Sequence, residues 1–245
     1  MITVRNLKKL VGQERFPLLR NVNLHIDKGE FVAIIGIGGS GKTTLMQCMS
    51  GREGWNEGDI TYLGESLQQM NIIRKYRYRK ESAYLSQQPS LNINRSAAKN
   101  VLSGRFRKVG LGKAMTGVVS KDEHFTAYDY LDKVGLLDKA AIKASSLSGG
   151  EKQRVAIGRA LAWGAKVIYA DDPVTGLDPQ SAARVMEDFK RLCEEDDLTV
   201  ICCMNNIEMA EKYCSRIMGL GGGEIVLDVS NRRLTQREKQ LIFDS

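Results

Sequence analysis

The chain has 245 residues, enough for one large α/β domain or a core carrying a modest insertion. Its 42% hydrophobic residues can bury a substantial core, and 27% charged residues is ordinary for a soluble protein. A formal net charge of +7 admits nucleic acid, acidic partners or an anionic membrane surface, but no apolar run approaches the roughly 18–20 residues that cross a bilayer.

The opening residues, MITVRNLKKL, contain no apolar segment after a charged start, so no secretory signal is expected and the chain is placed in the cytosol. Phe31-Val32-Ala33-Ile34-Ile35 is a short apolar run ending at glycine and reads as a buried strand. A helix is predicted from Lys42 to Met49, with Gly51 as its end cap. Arg74 to Lys80 holds five basic residues among seven, with Tyr76 and Tyr78 between them. A stacking platform for nucleic acid has this composition, and so does a solvated helix face leading into the next strand. The second reading is adopted, and no nucleic-acid partner is expected.

Residues 89–147 differ in character, with the helical pattern Ala127–Val134 and a basic, glycine-containing stretch from Arg105 to Lys113. They are predicted to form an inserted helical subdomain, leaving 1–88 and 148–245 as the core. Further strands are predicted at Val167–Ala170, ending at Asp171, and at Thr199–Met204. Gly221-Gly222-Gly223 marks a hairpin turn between Ile217–Leu220 and Glu224–Leu227. Strands separated by helices predict a mostly parallel sheet covered on both faces. The five cysteines show no metal-binding spacing, and Cys202 and Cys203 read as strand packing. His25 and His124 stand alone.

Gly36-Ile37-Gly38-Gly39-Ser40-Gly41-Lys42-Thr43 matches GxxxxGK[ST] between a strand and a helix. Its backbone N–H groups can converge on a β-phosphate, aided by the helix N-terminus. Lys42 is the expected contact to the β- and γ-phosphates, Thr43 is expected to bind Mg²⁺, and Thr44 follows in the first helical turn. Asp171 ends its strand where a carboxylate can hold Mg²⁺ through water. Between them lies Leu147-Ser148-Gly149-Gly150-Glu151-Lys152-Gln153-Arg154. Ser148 and Glu151 form a capping box, but two glycines at a helix start weaken it by about 1 kcal/mol each. They make sense where backbone must approach a phosphate closely.

LSGGEKQRVAIGRALA resembles the signature of ATP-binding cassette (ABC) proteins, and the resemblance extends over nearly the whole chain. Gln87 in Tyr84-Leu85-Ser86-Gln87-Gln88 is similar to that family's loop glutamine, and Gly176-Leu177-Asp178-Pro179 to its D-loop. The resemblance implies a P-loop NTPase (RecA-like) α/β core, an N-terminal antiparallel β region and a helical insertion. It also implies a head-to-tail dimer of two copies, each ATP lying between one subunit's phosphate loop and the other's Ser148, Gly149 and Gly150. Gln87 would join Thr43 and Asp171 around the metal. Asp178 suits both an interface role and an N-cap with Pro179 at N1.

Three positions depart from the family pattern. Where the family has a glutamate that polarises the attacking water, this chain has Asp172, shorter by one methylene. A displacement of about 1 Å can cost on the order of 10²-fold in rate. The switch histidine aligns with Asn205, which can hydrogen-bond a γ-phosphate oxygen but cannot become a cation. The adenine-stacking aromatic aligns with Val11, with Phe16 nearby as a substitute. Nucleotide binding and dimerisation are therefore expected to be intact and hydrolysis slow.

Within the family, Asn100–Arg105, Val134–Ala140, Arg154–Ala162 and the tail from Ile217 resemble the ATPases of phosphonate-type importers. This implies a permease in the plasma membrane, the chain lying on its cytoplasmic face, and an extracytoplasmic binding protein for phosphonate or a related oxyanion. The competing readings are a soluble cassette ATPase within a phosphonate-metabolising enzyme assembly and a nucleotide-gated switch with little turnover.

Overall fold

The computed structural model describes residues 1–106 and 121–243. From residue 107 onward, the basic stretch Arg105 to Lys113 lies outside them. The chain opens with β1 (Ile2–Val11) and β2 (Phe16–Ile26), then β3 (Phe31–Ile35) and helix α1 (Lys42–Met49). Next come β4 (Glu57–Tyr62), β5 (Glu65–Ser66), α2 (Ile72–Glu81) and β6 (Ser82–Leu85). Helices α3 (Ala97–Phe106) and α4 (Lys121–Lys133) precede α5 (Gly149–Trp163), β7 (Val167–Asp171) and α6 (Pro179–Asp196). The remainder is β8 (Thr199–Met204), α7 (Ile207–Tyr213), β9 (Arg216–Gly221), β10 (Glu224–Ser230) and α8 (Gln236–Phe243).

Two sheets result. The first is antiparallel, in the order β2-β1-β4-β5. Its alternation of buried Ile2 and Val4 breaks before buried Leu7. Asn6, at φ 49°, sits at a shift in register there, and this bulge returns Leu7 to the inner face. The second sheet runs β10-β9-β3-β8-β7-β6 and is parallel except for the β9–β10 hairpin. The parallel sheet and the glycine hairpin are as the sequence predicts.

Every residue of β3 and β8 is buried, as two-sided coverage requires. Phe31, Ala33 and Ile35 face a core built with Val101, Leu131, Val155 and Phe189, so α3 and α4 pack against the same core as α5 and α6. Val32 and Ile34 face the opposite way, onto Leu45, Met46 and Met49 of α1 and onto Ile2 and Val4 of the antiparallel sheet. All five cysteines are free and buried. Burial pushes the thiols of Cys48 and Cys193 up to about 12, which keeps them unreactive packing groups.

Helix α2 carries the basic run directly into β6, starting from an Asn71 cap whose side chain accepts from the Arg74 N–H at 2.9 Å. Its two tyrosines do not form a platform. Tyr76 is 62% exposed, whereas Tyr78 is buried, donating to the Met49 carbonyl and sharing a 2.8 Å hydrogen bond with Tyr169.

Candidate nucleotide site

The phosphate loop joins β3 to α1. Gly41 adopts φ 97°, a left-handed conformation that opens the helix without a side-chain cap. The first intrahelical bond runs from the Leu45 N–H to the Gly41 carbonyl at 2.8 Å, which leaves the N–H groups of Lys42, Thr43 and Thr44 directed at whatever sits above. By contrast α2, α5, α6 and α7 are capped by Asn71, Ser148, Asp178 and Asn206. A Cβ on Gly36 would collide with the Leu220 carbonyl, so the loop can pass there only as glycine. Ser40 is 8% exposed and its hydroxyl has no hydrogen-bond partner. A buried hydroxyl so orphaned beneath an uncapped helix suits an anionic ligand that supplies its partner. Lys42 is 7% exposed, its ammonium held by the Gly36 and Ile37 carbonyls at 2.8 Å each.

Thr43 and Asp171 come together. The Thr43 hydroxyl donates to Asp171 Oδ1 at 3.0 Å, and the Tyr84 hydroxyl donates to Asp171 Oδ2 at 2.8 Å. A hydroxyl that donates keeps lone pairs, so Thr43 and Asp171 form an oxygen-only donor pair suited to a hard divalent cation. No cluster of three or more His, Cys, Asp or Glu side chains suited to a metal exists among the described residues. Two protein oxygens, with phosphate and water completing the shell, is the arrangement magnesium favours.

Asp172 follows at φ 45°, its N–H donating to the Cys203 carbonyl at 3.1 Å. Burial raises its carboxyl above the usual aspartate range, the neighbouring Asp171 charge raises it further, and Lys42 opposes both. Asp172 and Asn205 line one cavity of about 470 Å³ with Thr175 and Met209. The adjacent Asn206 is committed elsewhere, accepting from the Met209 N–H at 3.0 Å as the cap of α7. Both asparagines are exposed and line the cavity, but only Asn206 is engaged as a helix cap.

Ser148 and Gly149 are exposed at the start of α5. The capping box forms as expected, the Glu151 N–H donating to Ser148 Oγ at 3.2 Å and the Ser148 N–H to Glu151 at 2.9 Å. Lys139 also pairs with Glu151. Burial works against that carboxylate, but Lys139 and the Ser148 amide hold it below its usual range. The two glycines have a cause the sequence did not disclose. A Cβ on Gly149 would lie 2.8 Å from Leu177 Cδ2, and one on Gly150 would lie 2.7 Å from Ser181 Cβ. The signature turn thus packs against Leu177 and the start of α6, where Asp178 caps the helix by accepting from the Ser181 N–H at 2.9 Å.

A family model described as ABC transporter matches residues 19–175. The chain belongs to the ABC transporter family. It is an ABC-type ATPase, binding and hydrolysing ATP. Among curated relatives, the phosphonates import ATP-binding protein PhnC of Lactococcus lactis subsp. lactis (strain IL1403) is 38% identical over 236 residues, covering 96% of each chain. PhnC of Fusobacterium nucleatum subsp. nucleatum is 37% identical over 245 residues, covering 100% of this chain and 98% of that protein. Among solved structures, the ATP-binding cassette MJ0796, dimeric in a post-hydrolysis state bound to ADP and Pi, is 30% identical with a TM-score of 0.80. That match covers 96% of this chain and 100% of the other.

Gln87 is exposed, and its side chain is not brought to Asp171 by any hydrogen bond. Its main-chain carbonyl is gripped instead, accepting from Gln153 Nε2 at 3.0 Å, with the Ser86 carbonyl at 3.3 Å. Gln153 and Tyr84 are the residues the sequence reading left without a role. Their partners lie 66 and 87 positions away, and no local pattern announces them. Val11 and Phe16 face each other directly across the β1–β2 hairpin, which puts their side chains on one face, and Phe16 is 61% exposed. Leu19, three residues further along β2, lies 2.9 Å from where a Gly41 Cβ would sit.

Proposed function

We propose that the chain is the motor subunit of an importer for phosphonate or a related oxyanion, with hydrolysis slowed by Asp172 and Asn205. The likeness to phosphonate import ATP-binding proteins along essentially the full length carries this reading. The uncapped, orphan-bearing phosphate loop supports its nucleotide chemistry.

In this reading Gly36, Gly38, Gly39, Ser40, Gly41, Lys42, Thr43 and Thr44 hold the phosphates. Thr43 and Asp171 would hold Mg²⁺, joined by Gln87 once its loop brings the side chain to them, and the ion would supply charge neutralisation for the transferring γ-phosphoryl group. Asp172 orients the attacking water and accepts its proton, while Lys42 and Asn205 stabilise charge on the γ-phosphate oxygens. Ser148, Gly149, Gly150 and Asp178 serve the nucleotide of a second copy, a role supported by the exposure of Ser148, Gly149 and Asp178 at the starts of α5 and α6. Phe16 supplies the face on which adenine stacks.

Residues 89–147 form the helical insertion on the 1–88 and 148–245 core. A permease segment would seat in the cavity of about 600 Å³ between them, lined by Arg52, Arg79, Arg159, Tyr84 and Trp163 beside the Gln87 loop. No helix among the described residues is long and apolar enough to cross a membrane. The chain would therefore be peripheral, on the cytoplasmic face, reached by cargo only through the permease and an extracytoplasmic binding protein.

The test is reconstitution with the membrane subunits that co-purify with the chain. ATP turnover should rise when phosphonate-loaded binding protein is added, and Lys42→Ala should abolish turnover and weaken ATP binding about tenfold or more. Absence of a membrane subunit would overturn the importer reading, and unchanged turnover in Lys42→Ala would overturn the site.

A further inference from the structure

We propose that Tyr84 is a positioning residue for Asp171, fixing the carboxylate that receives the divalent cation and tying it to the basic cavity on the other side of β6. The proposal rests on the reading of Asp171 as a metal carboxylate.

Two hydroxyls hold this carboxylate in place. Thr43 donates to Oδ1 from the helix side and Tyr84 donates to Oδ2 from the neighbouring strand, at 3.0 and 2.8 Å. An ionised carboxylate offers about four lone-pair sites, so two remain for a cation or its water. With both oxygens held, the side chain cannot rotate about its terminal bond, and the free lone pairs point one way. Magnesium demands near-ideal octahedral geometry, so the orientation of a donor matters as much as its charge.

Tyr84 is itself well fixed. It sits in β6 opposite Tyr169 of β7, one register step from Leu85 and Ala170. The Arg52 guanidinium lies over its ring, 4.9 Å from the centroid. The same ring lines the cavity of about 600 Å³ with Arg52, Arg79, Arg159 and Trp163. One side chain therefore reaches from that cavity to the carboxylate through a single hydrogen bond. A group that displaces Arg52 or the ring alters how Asp171 is held, with no movement of the phosphate loop required.

The test compares wild type, Tyr84→Phe and Asp171→Asn. Tyr84→Phe keeps the ring and the Arg52 contact and removes only the donor. Mn²⁺ is titrated into each ADP-saturated chain and the protein-bound ion is followed by electron paramagnetic resonance. ADP affinity in EDTA and the thermal midpoint are measured alongside. Tyr84→Phe should weaken Mn²⁺ binding about tenfold, the scale of lost outer-shell support, while ADP affinity in EDTA and the midpoint stay at wild-type values. A Mn²⁺ affinity within twofold of wild type, with Asp171→Asn clearly weakened, would overturn the role of Tyr84 and leave the metal assignment standing. Equal losses of Mn²⁺ and metal-free ADP affinity in Tyr84→Phe would show a merely structural role and also overturn it. If Asp171→Asn itself leaves Mn²⁺ binding unchanged, the metal assignment falls and the proposal falls with it.

Discussion

The side-chain amide of Gln153, two per cent exposed on the signature helix, donates to the main-chain carbonyl of Gln87 at 3.0 Å. It also reaches the Ser86 carbonyl at 3.3 Å, so one buried side chain fastens the loop after β6 to α5. Gln153→Ala removes that donor from two carbonyls and leaves a void. A loss of about 1–2 kcal/mol in urea unfolding is expected. Faster amide hydrogen exchange confined to the segment around Gln87 should accompany it. Unchanged exchange there would mean that the loop is held by other contacts.

Phe16 stands 61% exposed opposite Val11, on the strand that underlies Gly41. Phe16→Ala should weaken ATP binding roughly 2- to 10-fold, the scale of one aromatic stacking contact. Because so little of the ring is buried, the thermal midpoint should not move. Calorimetric titration of ATP against inorganic triphosphate separates the two contributions: only the adenine-bearing ligand should respond.

Asp172 and Asn205 share a cavity, and each is a shortened or uncharged counterpart of the group the family pattern carries there. Asp172→Glu with Asn205→His should raise steady-state Mg-ATP turnover by about 10-fold or more while nucleotide affinity holds, since reach lost by one methylene is restored. Brisk wild-type turnover that the pair leaves unaltered would show that the native residues suffice.

The raised carboxyl of Asp172 has a thermodynamic side. Folded Asp172 holds its proton more tightly than the unfolded chain does, so its ionisation destabilises the fold in full above its raised pKa, and that cost fades as pH falls from there to the ordinary aspartate range. Asn tolerates the left-handed φ of 45° at this position and carries no charge to repel Asp171. Asp172→Asn should therefore raise the melting temperature by about 2 °C at pH 7. That gain should shrink as pH falls through the raised pKa, while turnover is lost at every pH. In the wild-type chain the acidic limb of the turnover profile should lie above the ordinary aspartate range.

Much of this was legible in the sequence because it is local. The run Phe31–Ile35, the glycines around Lys42 and the Ser148–Glu151 capping pair each carry their cause within a few residues. What stayed hidden depends on partners distant in the chain. The antiparallel region came from family likeness, since the bulge at Asn6 breaks the alternation that would have marked β1. Gly149 and Gly150 looked like phosphate-approach residues, yet Leu177 and Ser181 also occupy the space of their missing side chains. Tyr78 reads in the sequence as part of a solvated helix face, but its bond to Tyr169, 91 positions away, fixes it in the interior.

The phosphate loop has walls from two segments about 200 residues apart in sequence, around Leu19 and Leu220. Leu19 closes against Gly41, the Leu220 carbonyl closes against Gly36, and the Arg20 N–H is tied to the Gly223 carbonyl at 3.0 Å. During synthesis the motif itself leaves the ribosome early, but its second wall arrives only with the β9–β10 hairpin. Nascent chains shorter than that carry the full nucleotide motif without a finished cradle. ATP, binding the finished cradle, should therefore stabilise only chains in which the β9–β10 hairpin has docked.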